Sequence, residues 1–174
     1  MQVLFHYRIL AQDGMQVHVA ELLSAMQRQG HRVHVVAPGV DGTPVDGTRG
    51  QEAATKGTAG WAGTQAKRAA ARGRTGGLVA RLGAVRHRLP AWLAELLELA
   101  YSVPAYLRLR RAARVTRPEV IYERYNLFLL AGVWLKRRLG VPLLLEVNAP
   151  LAWERATHGR LSLKRLARWS ERYV

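Results

Sequence analysis

Hydrogen-bonding side chains follow a short apolar segment in the second half of the chain. Residues 120–122 are Val-Ile-Tyr, which is typical of a strand, and Glu123, Arg124, Tyr125 and Asn126 come directly after them. In parallel sheets, ligands bind beyond the carboxyl ends of the strands. We therefore expect these four side chains to lie at a binding cleft.

A carboxylate stands in the next apolar segment, which the sequence predicts to be the following strand. Glu146 interrupts the otherwise apolar residues 142–147, and Asn148 lies in the exit loop. Burial of a carboxylate is costly unless the group is paired. Glu146 therefore either belongs to a structural ion pair with a cation such as Arg124 or contacts a ligand directly, and we favour the ion pair.

The N-terminal residues predict the unit on which the rest of the sheet is built. Residues 2–7 suit a strand buried on both faces, Asp13 is a candidate N-cap of the next helix, and Gly30 ends that helix. Residues 32–37 return as a second strand. Two parallel strands joined by a helix form a right-handed crossover, so we predict an α/β fold with a doubly wound parallel sheet.

Gly14 lies at the mouth of that first helix, in the loop formed by residues 8–14. A glycine there lets an anion such as a diphosphate approach the unpaired backbone N–H groups of the helix N-terminus. The alternative is that Gly14 only permits a tight turn. The fingerprint Gly-x-Gly-x-x-Gly is absent, so a nicotinamide or flavin cofactor has little support.

The remaining apolar periodicity predicts further helices and one more strand–helix repeat. The helical segments are residues 91–114, 127–139 and a last helix from about 161. Pro104 should kink or split the first of them. Glu154 and Arg155 fall on a loop or a first helical turn after the fourth predicted strand.

The composition suits one domain and is consistent with a reducing cytoplasm. The chain has 174 residues, which suits a single domain, and it contains no cysteine, so disulfides and thiolate metal sites are excluded. No segment is apolar over the length of a membrane span, and the N-terminal apolar run is too short for a signal peptide. We expect a soluble, cytoplasmic protein.

The net charge of +15 predicts an anionic partner: nucleic acid, an anionic membrane face or a phosphorylated substrate. The charge is concentrated in residues 41–88, where nine lysine or arginine residues face three acidic ones. Residues 40–77 are rich in Gly, Ala, Thr and Arg, a composition that buries little apolar surface. We predict a basic flexible insertion at about residues 40–88.

Two groups of arginines are candidate contacts for a membrane or another anion. Arg81, Arg86 and Arg88 belong to a weakly amphipathic basic segment, which suits either a membrane surface or, as we slightly favour, a solvated helix. Arg108 and Arg111 stand near the end of a predicted helix, where cations are favourable without any ligand.

Three segments, in order, resemble family 4 glycosyltransferases of the GT-B fold. The first is the N-terminal segment, with Phe-His-Tyr-Arg at residues 5–8, Asp-Gly-Met at 13–15 and Gly-His-Arg-Val at 30–33. The second is Arg-Pro-Glu-Val-Ile-Tyr-Glu-Arg-Tyr at residues 117–125. The third is Leu-Glu-Val-Asn-Ala-Pro-Leu at residues 145–151, followed by Glu154 and Arg155. The resemblance covers both ends of the chain and skips the basic insertion.

The resemblance implies a Rossmann-like domain, the N-terminal half of a GT-B fold, which binds the acceptor and closes over a nucleotide-sugar. Asp13 and Gly14 would then lie near the donor diphosphate. Arg124 falls where many members carry a histidine, and Asn148 falls near another frequent histidine. The family is a retaining one, so no general base is demanded of this half, and no metal or cofactor is implied.

The resemblance also implies contacts with the acceptor or its sugar at Arg124, Tyr125, Asn126, Glu146, Asn148, Glu154 and Arg155. In the family a second Rossmann domain with a Glu-x7-Glu motif holds most of the nucleotide-sugar. Nothing in residues 1–174 supplies that domain. We therefore expect the chain to be inactive alone and to require that domain or a partner chain. A glycan or lipid-linked acceptor at the inner membrane face would suit the basic surface, and polysaccharide biosynthesis is the implied setting.

Two alternatives remain at this point. The charge alone is compatible with a nucleic-acid-binding module, although no DNA- or RNA-binding motif is recognisable. The second alternative is a non-catalytic Rossmann-like domain that only docks another chain. An apolar surface on the domain would be the physical cause of that docking.

Overall fold

The computed structural model describes residues 1–8, 14–37, 40–44, 89–159 and 161–174. The predicted contacts Asp13, Arg81, Arg86 and Arg88 lie outside the described residues. Residues 45–88 of the predicted insertion also lie outside them. Everything below concerns the described ranges.

A five-stranded sheet forms the centre of the fold, in the order β3-β2-β1-β4-β5. The strands are β1 (Gln2–His6), β2 (Arg32–Ala37), β3 (Val40–Pro44), β4 (Val120–Arg124) and β5 (Leu143–Glu146). β1 pairs in parallel with β2 on one side and β4 on the other, and β5 continues the parallel sheet. The predicted Rossmann-like α/β fold is confirmed, with the topological switch between β1 and β4.

Helices cover both faces of this sheet. They are α1 (Gly14–Arg28), α2 (Ala91–Ala100), α3 (Ser102–Thr116), α4 (Ala131–Leu139), α5 (Leu151–Thr157) and α6 (Lys164–Tyr173). The predicted break near Pro104 occurs at Tyr101, which separates α2 from α3. Pro104 itself lies in the first turn of α3, where a missing backbone N–H is tolerated.

Alternation along the strands divides the core into two layers. Val3, Phe5 and Val35 pack with Val19 and Leu23 of α1 on one face. The opposite face carries a layer contributed by the neighbouring strand positions and by α3 and α4. Its main members are Leu4, Val36, Ile121, Leu109 and Leu135. Because successive strand residues point to opposite faces, every residue near the strand ends can be assigned to the α1 face or to the α3/α4 face.

Three boundaries differ from the sequence prediction. β4 extends through Arg124, which pairs with Glu146 of β5, so Glu123 and Arg124 are strand residues rather than loop residues. α4 begins at Ala131 rather than at 127, because Phe128 has a left-handed backbone (φ 67°) that a helix cannot continue through. The last helix starts at Lys164 rather than near 161.

β3 corrects the predicted start of the basic insertion. Val40–Pro44 forms an antiparallel edge strand against β2, with an irregularity in register between Val35 and Val36. Its sequence lacks the apolar alternation that marks a strand, but an edge strand pairs through its backbone on one side only, so side-chain pattern matters less there.

Acidic residues of α2 fix the last helices of the chain. The two carboxylate oxygens of Glu95 accept hydrogen bonds from the backbone N–H groups of Ser162 and Leu163, each at 2.7 Å. Glu98 accepts from Arg155 Nη1 at 2.9 Å. Glu95 and Glu98 are both buried, so α2 directs its acidic side inward.

A buried histidine–glutamate pair joins the ends of β1 and β4. His6 Nδ1 lies 2.8 Å from Glu123 Oε2, and each side chain is only 1% exposed. Gly132 of α4 provides the space for the carboxylate, because a Cβ atom at that position would lie 2.7 Å from Glu123 Cδ. A side chain at Gly132 would therefore displace Glu123 from His6.

Gly132→Ala tests this packing. Helix propensity alone favours alanine by about 1 kcal/mol. We expect the opposite sign, a loss of roughly 1–3 kcal/mol in the free energy of unfolding, since the added methyl overpacks a closed site. Urea denaturation followed by circular dichroism measures the difference.

The double variant Gly132→Ala/Glu123→Ala is the control. Removing the carboxylate leaves room for the methyl, so in the Glu123→Ala background the substitution at Gly132 should cost nothing or stabilise. An equal loss in both backgrounds would show that Glu123 is not what the methyl meets.

Candidate functional site

Polar side chains end three neighbouring strands at the carboxyl edge of the sheet. His6 is the last residue of β1, Arg124 the last of β4 and Glu146 the last of β5. The strand register places His6 beside Glu123 and Arg124 beside Glu146. This edge is where doubly wound sheets bind their ligands.

Glu146 is the centre of a polar cluster on the α1 face. Arg124 Nη1 lies 3.6 Å and His18 Nε2 lies 3.2 Å from Glu146 Oε1. Asn148 Nδ2 donates to the same oxygen at 3.1 Å, and the Tyr122 hydroxyl donates to Oε2 at 3.2 Å. These five residues are called the Glu146 cluster below. The predicted ion pair between Glu146 and Arg124 is confirmed.

The Glu146 cluster is enclosed at its base and open at its rim. Arg124 and Glu146 side chains are each 12% exposed, whereas the His18 side chain on α1 is 55% exposed. The arrangement can accept hydrogen bonds through the carboxylate and donate them through the guanidinium and amide, which suits a polyhydroxylated ligand.

Tyr122 shows the electrostatic effect of the cluster. Burial raises the pKa of its hydroxyl to about 12, and the charge of Glu146 and the hydrogen bond to it act in the same direction. The nearby Arg124 opposes them. Tyr122 therefore remains a hydrogen-bond donor at neutral pH.

The other predicted contacts do not join this cluster. The Tyr125 hydroxyl donates to Glu171 Oε1 at 3.2 Å, an oxygen that also accepts from the backbone N–H of Ala152, so Tyr125 faces α6. Burial raises the pKa of Tyr125 above its usual value. Arg155 is paired with Glu98 of α2. Tyr125 and Arg155 therefore hold helices together. The sequence could not predict this role, because it does not show how the helices pack.

Glu154 and Asn126 differ from each other in environment. The Glu154 side chain is exposed on α5, and the backbone carbonyl of Glu154 accepts from the ring of His158 at 2.8 Å. Asn126 is buried, and its backbone carbonyl accepts from Leu129 at 3.1 Å.

Unsatisfied buried polar atoms concentrate at the end of β4. Among the described residues, Glu123 Oε1, Arg124 Nη1 and Asn126 Nδ2 are buried without a hydrogen-bond partner, although Arg124 Nη1 keeps its ion pair with Glu146. Buried polar atoms in proteins are nearly always hydrogen-bonded. Glu123 and Arg124 are successive strand residues and point to opposite faces of the sheet, so these atoms do not line one pocket.

Three residues of the site were not predicted from the sequence as site residues. His6, His18 and Tyr122 are fixed by β1, α1 and β4 respectively. Tyr122 had a detectable signal, since it alternates with Arg124 and therefore shares its face of the sheet. The proximity of His18 to Glu146, 128 residues away in sequence, depends on the docking of α1 and has no local signal.

The basic residues of α3 have separate environments. Arg108 contacts Tyr101 through its guanidinium, whereas Arg111 is exposed.

Gly14 is the first residue of α1, so the predicted helix N-terminus does begin at that glycine. No group of three or more His, Asp or Glu residues in the described ranges is placed to hold a metal ion. The same ranges contain no helix with the length and apolarity needed to cross a membrane.

A doubly wound sheet with a polar cluster beside its switch point defines a Rossmann-like ligand-binding domain. The family model described as a glycosyl transferase 4-like domain matches residues 13–174. The chain therefore belongs to this glycosyltransferase family, and the resemblance seen in the sequence is confirmed. The comparison with curated proteins gave no match, and neither did the comparison with solved structures.

The raised pKa of Tyr122 predicts a loss of stability at alkaline pH. Below pH 10 the hydroxyl is protonated in both folded and unfolded chains, so its contribution is fully present. Between pH 10 and about 12 the unfolded chain releases the proton more readily, and the free energy of unfolding should fall. NMR of ring-labelled tyrosine, assigned with Tyr122→Phe, measures the titration directly.

Glu146→Gln provides the matched comparison. The substitution removes the negative charge and keeps the size of the side chain, so the pKa of Tyr122 should move down toward its ordinary value. An unchanged titration of Tyr122 in Glu146→Gln would mean that the two side chains do not interact in solution.

Proposed function

We propose that this chain is the acceptor-side domain of a retaining glycosyltransferase, which transfers a sugar from a nucleotide-sugar to a glycan or lipid-linked acceptor. The family supports the general class of reaction. The observation that carries the acceptor role is the Glu146 cluster, a partly open group of donors and acceptors at the ligand-binding edge of the sheet.

The chemistry of the cluster fits a sugar better than a bare anion. The carboxylate of Glu146 accepts hydrogen bonds from hydroxyl groups, and the donors around it can bond to the oxygens of the same hydroxyls. Arg124 is partly neutralised by Glu146, so it offers directed hydrogen bonds without a large net positive charge. The exposed ring of His18 then forms an accessible rim.

In this proposal the donor diphosphate lies on the same face of the sheet as the acceptor contact, at the start of α1, one helical turn before His18. The N-terminus of α1 at Gly14 would face the donor diphosphate, since backbone N–H groups there favour an anion. A second domain or partner chain supplies the remaining donor contacts. The present chain binds and orients the acceptor, needs no general base of its own and turns over little or no substrate alone.

Saccharide binding tests the acceptor role. Glucose, galactose, mannose and N-acetylglucosamine serve as probes in saturation-transfer NMR with the chain alone. We expect at least one of them to bind, and Arg124→Gln to weaken that binding about tenfold, as loss of a hydrogen bond from a charged donor does. Arg138→Gln, an exposed substitution at the end of α4, should leave it unchanged.

Two results would contradict the proposal. One is equal loss of binding in Arg124→Gln and Arg138→Gln, or no saccharide binding at all. The other is transfer from a panel of nucleotide-sugars by the chain alone at about 10 s⁻¹, an ordinary enzymatic rate, measured as release of the nucleoside diphosphate.

We also propose that the domain contacts an anionic membrane surface through α2 and α3. Large apolar side chains project from these helices into solvent, and the members of two pairs, 92/96 and 103/107, are four residues apart and share a face of their helix. The exposed side chains are Trp92, Leu96, Leu97, Val103 and Leu107, and they are called the apolar helix face below. Glu95 and Glu98 point inward, so part of the buried side of α2 is acidic although Leu99 also packs against the core.

The charge of the chain favours an anionic bilayer as the occupant of this face. Exposed Arg111 and Arg114 lie on α3 beside it, and the whole chain carries +15. Basic residues next to an exposed tryptophan and leucines are typical of helices that lie in a membrane interface. Nucleic acid would use the same charge but gives no reason to expose Trp92 and Leu96.

Vesicle co-sedimentation tests the membrane contact. The chain should sediment with phosphatidylglycerol vesicles and only weakly with phosphatidylcholine vesicles. Leu96→Asp should weaken binding about tenfold, through lost apolar burial and added repulsion. Leu139→Asp on α4 is the matched control, because Leu139 is 43% exposed and Leu96 is 39% exposed. Equal effects of the two substitutions, or equal binding to both lipids, would overturn this proposal.

A further inference from the structure

We infer that the open edge of β5 is a docking site for an extended acidic segment of a partner protein, which adds a strand to the sheet. β5 pairs with β4, and in the part of the chain that the structure describes it is the last strand at that end of the sheet. The inference goes beyond the proposed function and does not rest on it, because it concerns the backbone and surface of β5 and not the binding of a sugar or a nucleotide.

The apolar side chains of β5 are poorly covered for a strand of a parallel sheet. Such strands are usually buried on both faces, as β1 is along most of its length, whereas all three leucines of β5 are at least partly exposed. Leu144 is 54% exposed, and Val147, which follows the strand, is 57% exposed. Because exposed apolar surface is unfavourable in water, a segment that covers these side chains would be bound favourably.

The backbone of β5 also has hydrogen-bonding groups that point away from the sheet. The carbonyl of Glu146 accepts a hydrogen bond from the N–H of Tyr125 at 2.9 Å, so Glu146 directs its backbone groups toward β4. In a parallel strand these groups point to alternate sides in successive residues. The N–H and C=O groups of Leu143 and Leu145 therefore point to the open edge, where an added strand can pair with them.

The opposite edge of the sheet is protected against such pairing, whereas β5 is not. β3 contains Asp41, Gly42 and Pro44, and its register with β2 is irregular. Charged residues, proline and bulges are the means by which proteins keep edge strands from pairing. β5 is regular in its register with β4, contains three successive leucines, and has its single charged side chain, Glu146, engaged by Arg124. The contrast indicates that the β5 edge is used for pairing.

The charges beside β5 favour an acidic segment as the occupant. α4 ends in exposed Lys136, Arg137 and Arg138 and leads through residues 140–142 into the amino end of β5. Arg137 contacts the Tyr173 ring, whereas Lys136 and Arg138 have no carboxylate within ion-pair distance in the described ranges. Acidic side chains on an added strand would complement these two cations. A second copy of the chain would instead bring another net charge of +15, which opposes association.

Hydrogen exchange followed by NMR tests docking on β5 in the whole chain. The probe is the capped peptide Asp-Glu-Val-Thr-Val-Thr-Val, whose acidic end reaches the end of α4 when it pairs in parallel with β5. At saturating peptide, exchange of the Leu143 and Leu145 amides should slow about tenfold or more, because their N–H groups become paired. The Leu144 amide already points to β4 and should change little. The basic peptide Lys-Lys-Val-Thr-Val-Thr-Val should bind about tenfold more weakly.

Substitutions separate the apolar contact from the charge. Leu144→Asp removes an exposed apolar side chain and adds repulsion, so it should weaken binding of the acidic peptide about tenfold. Val103→Asp on α3 is the matched control, because Val103 is 52% exposed, and it should leave binding unchanged. Arg138→Gln should weaken binding about threefold, as loss of an exposed ion pair does, whereas Arg111→Gln should have no effect. Circular dichroism verifies that each variant is folded.

Several outcomes would overturn the inference. Unchanged exchange of the Leu143 and Leu145 amides, or equal losses in Leu144→Asp and Val103→Asp, would exclude docking on β5. Equal binding of the acidic and basic peptides would exclude an acidic occupant. Slowing of the same amides without peptide, increasing with protein concentration, would identify a second copy of the chain as the occupant instead. Saccharide binding through Arg124 is measured separately, so failure of the proposed function is distinguishable from failure of this inference.

Discussion

The pairing of β1 with β2 and β4 is the constraint on which every candidate site depends. β1 occupies the centre of the sheet, and its register with β4 brings His6 beside Glu123. The buried contact between these two side chains needs the missing side chain of Gly132, so strand register and the docking of α4 are set together. A shift of one residue would turn each polar strand end toward the opposite face.

Part of this arrangement follows from the sequence. The four parallel strands are predictable because apolar runs alternate with helical periodicity, and the pairing of Glu146 with Arg124 is predictable because a buried carboxylate needs a cation. β3 is not, since an edge strand of Val-Asp-Gly-Thr-Pro has no apolar pattern. Nor are the partners of Tyr125 and Arg155, which depend on how α2 and α6 dock.

α2 explains why one surface of the domain is unusually apolar. Glu95 satisfies the backbone before α6, and Glu98 pairs with Arg155, so both acids must face the interior. With both acids inside, the opposite side of α2 presents Trp92, Leu96 and Leu97 to solvent. The α2 part of the apolar helix face is therefore a consequence of how α2 holds the C-terminal helices, and its position beside the exposed arginines of α3 is what supports the proposed membrane contact.

The charge balance of the Glu146 cluster limits what the proposed acceptor contact could hold. The carboxylate of Glu146 offsets the guanidinium of Arg124, so the cluster has no large net charge to attract an anion. A ligand held there would depend on directed hydrogen bonds, which salt screens much less than it screens attraction between exposed charges. Binding that is insensitive to ionic strength is therefore what separates a sugar contact at this cluster from attraction to the basic surface of the chain.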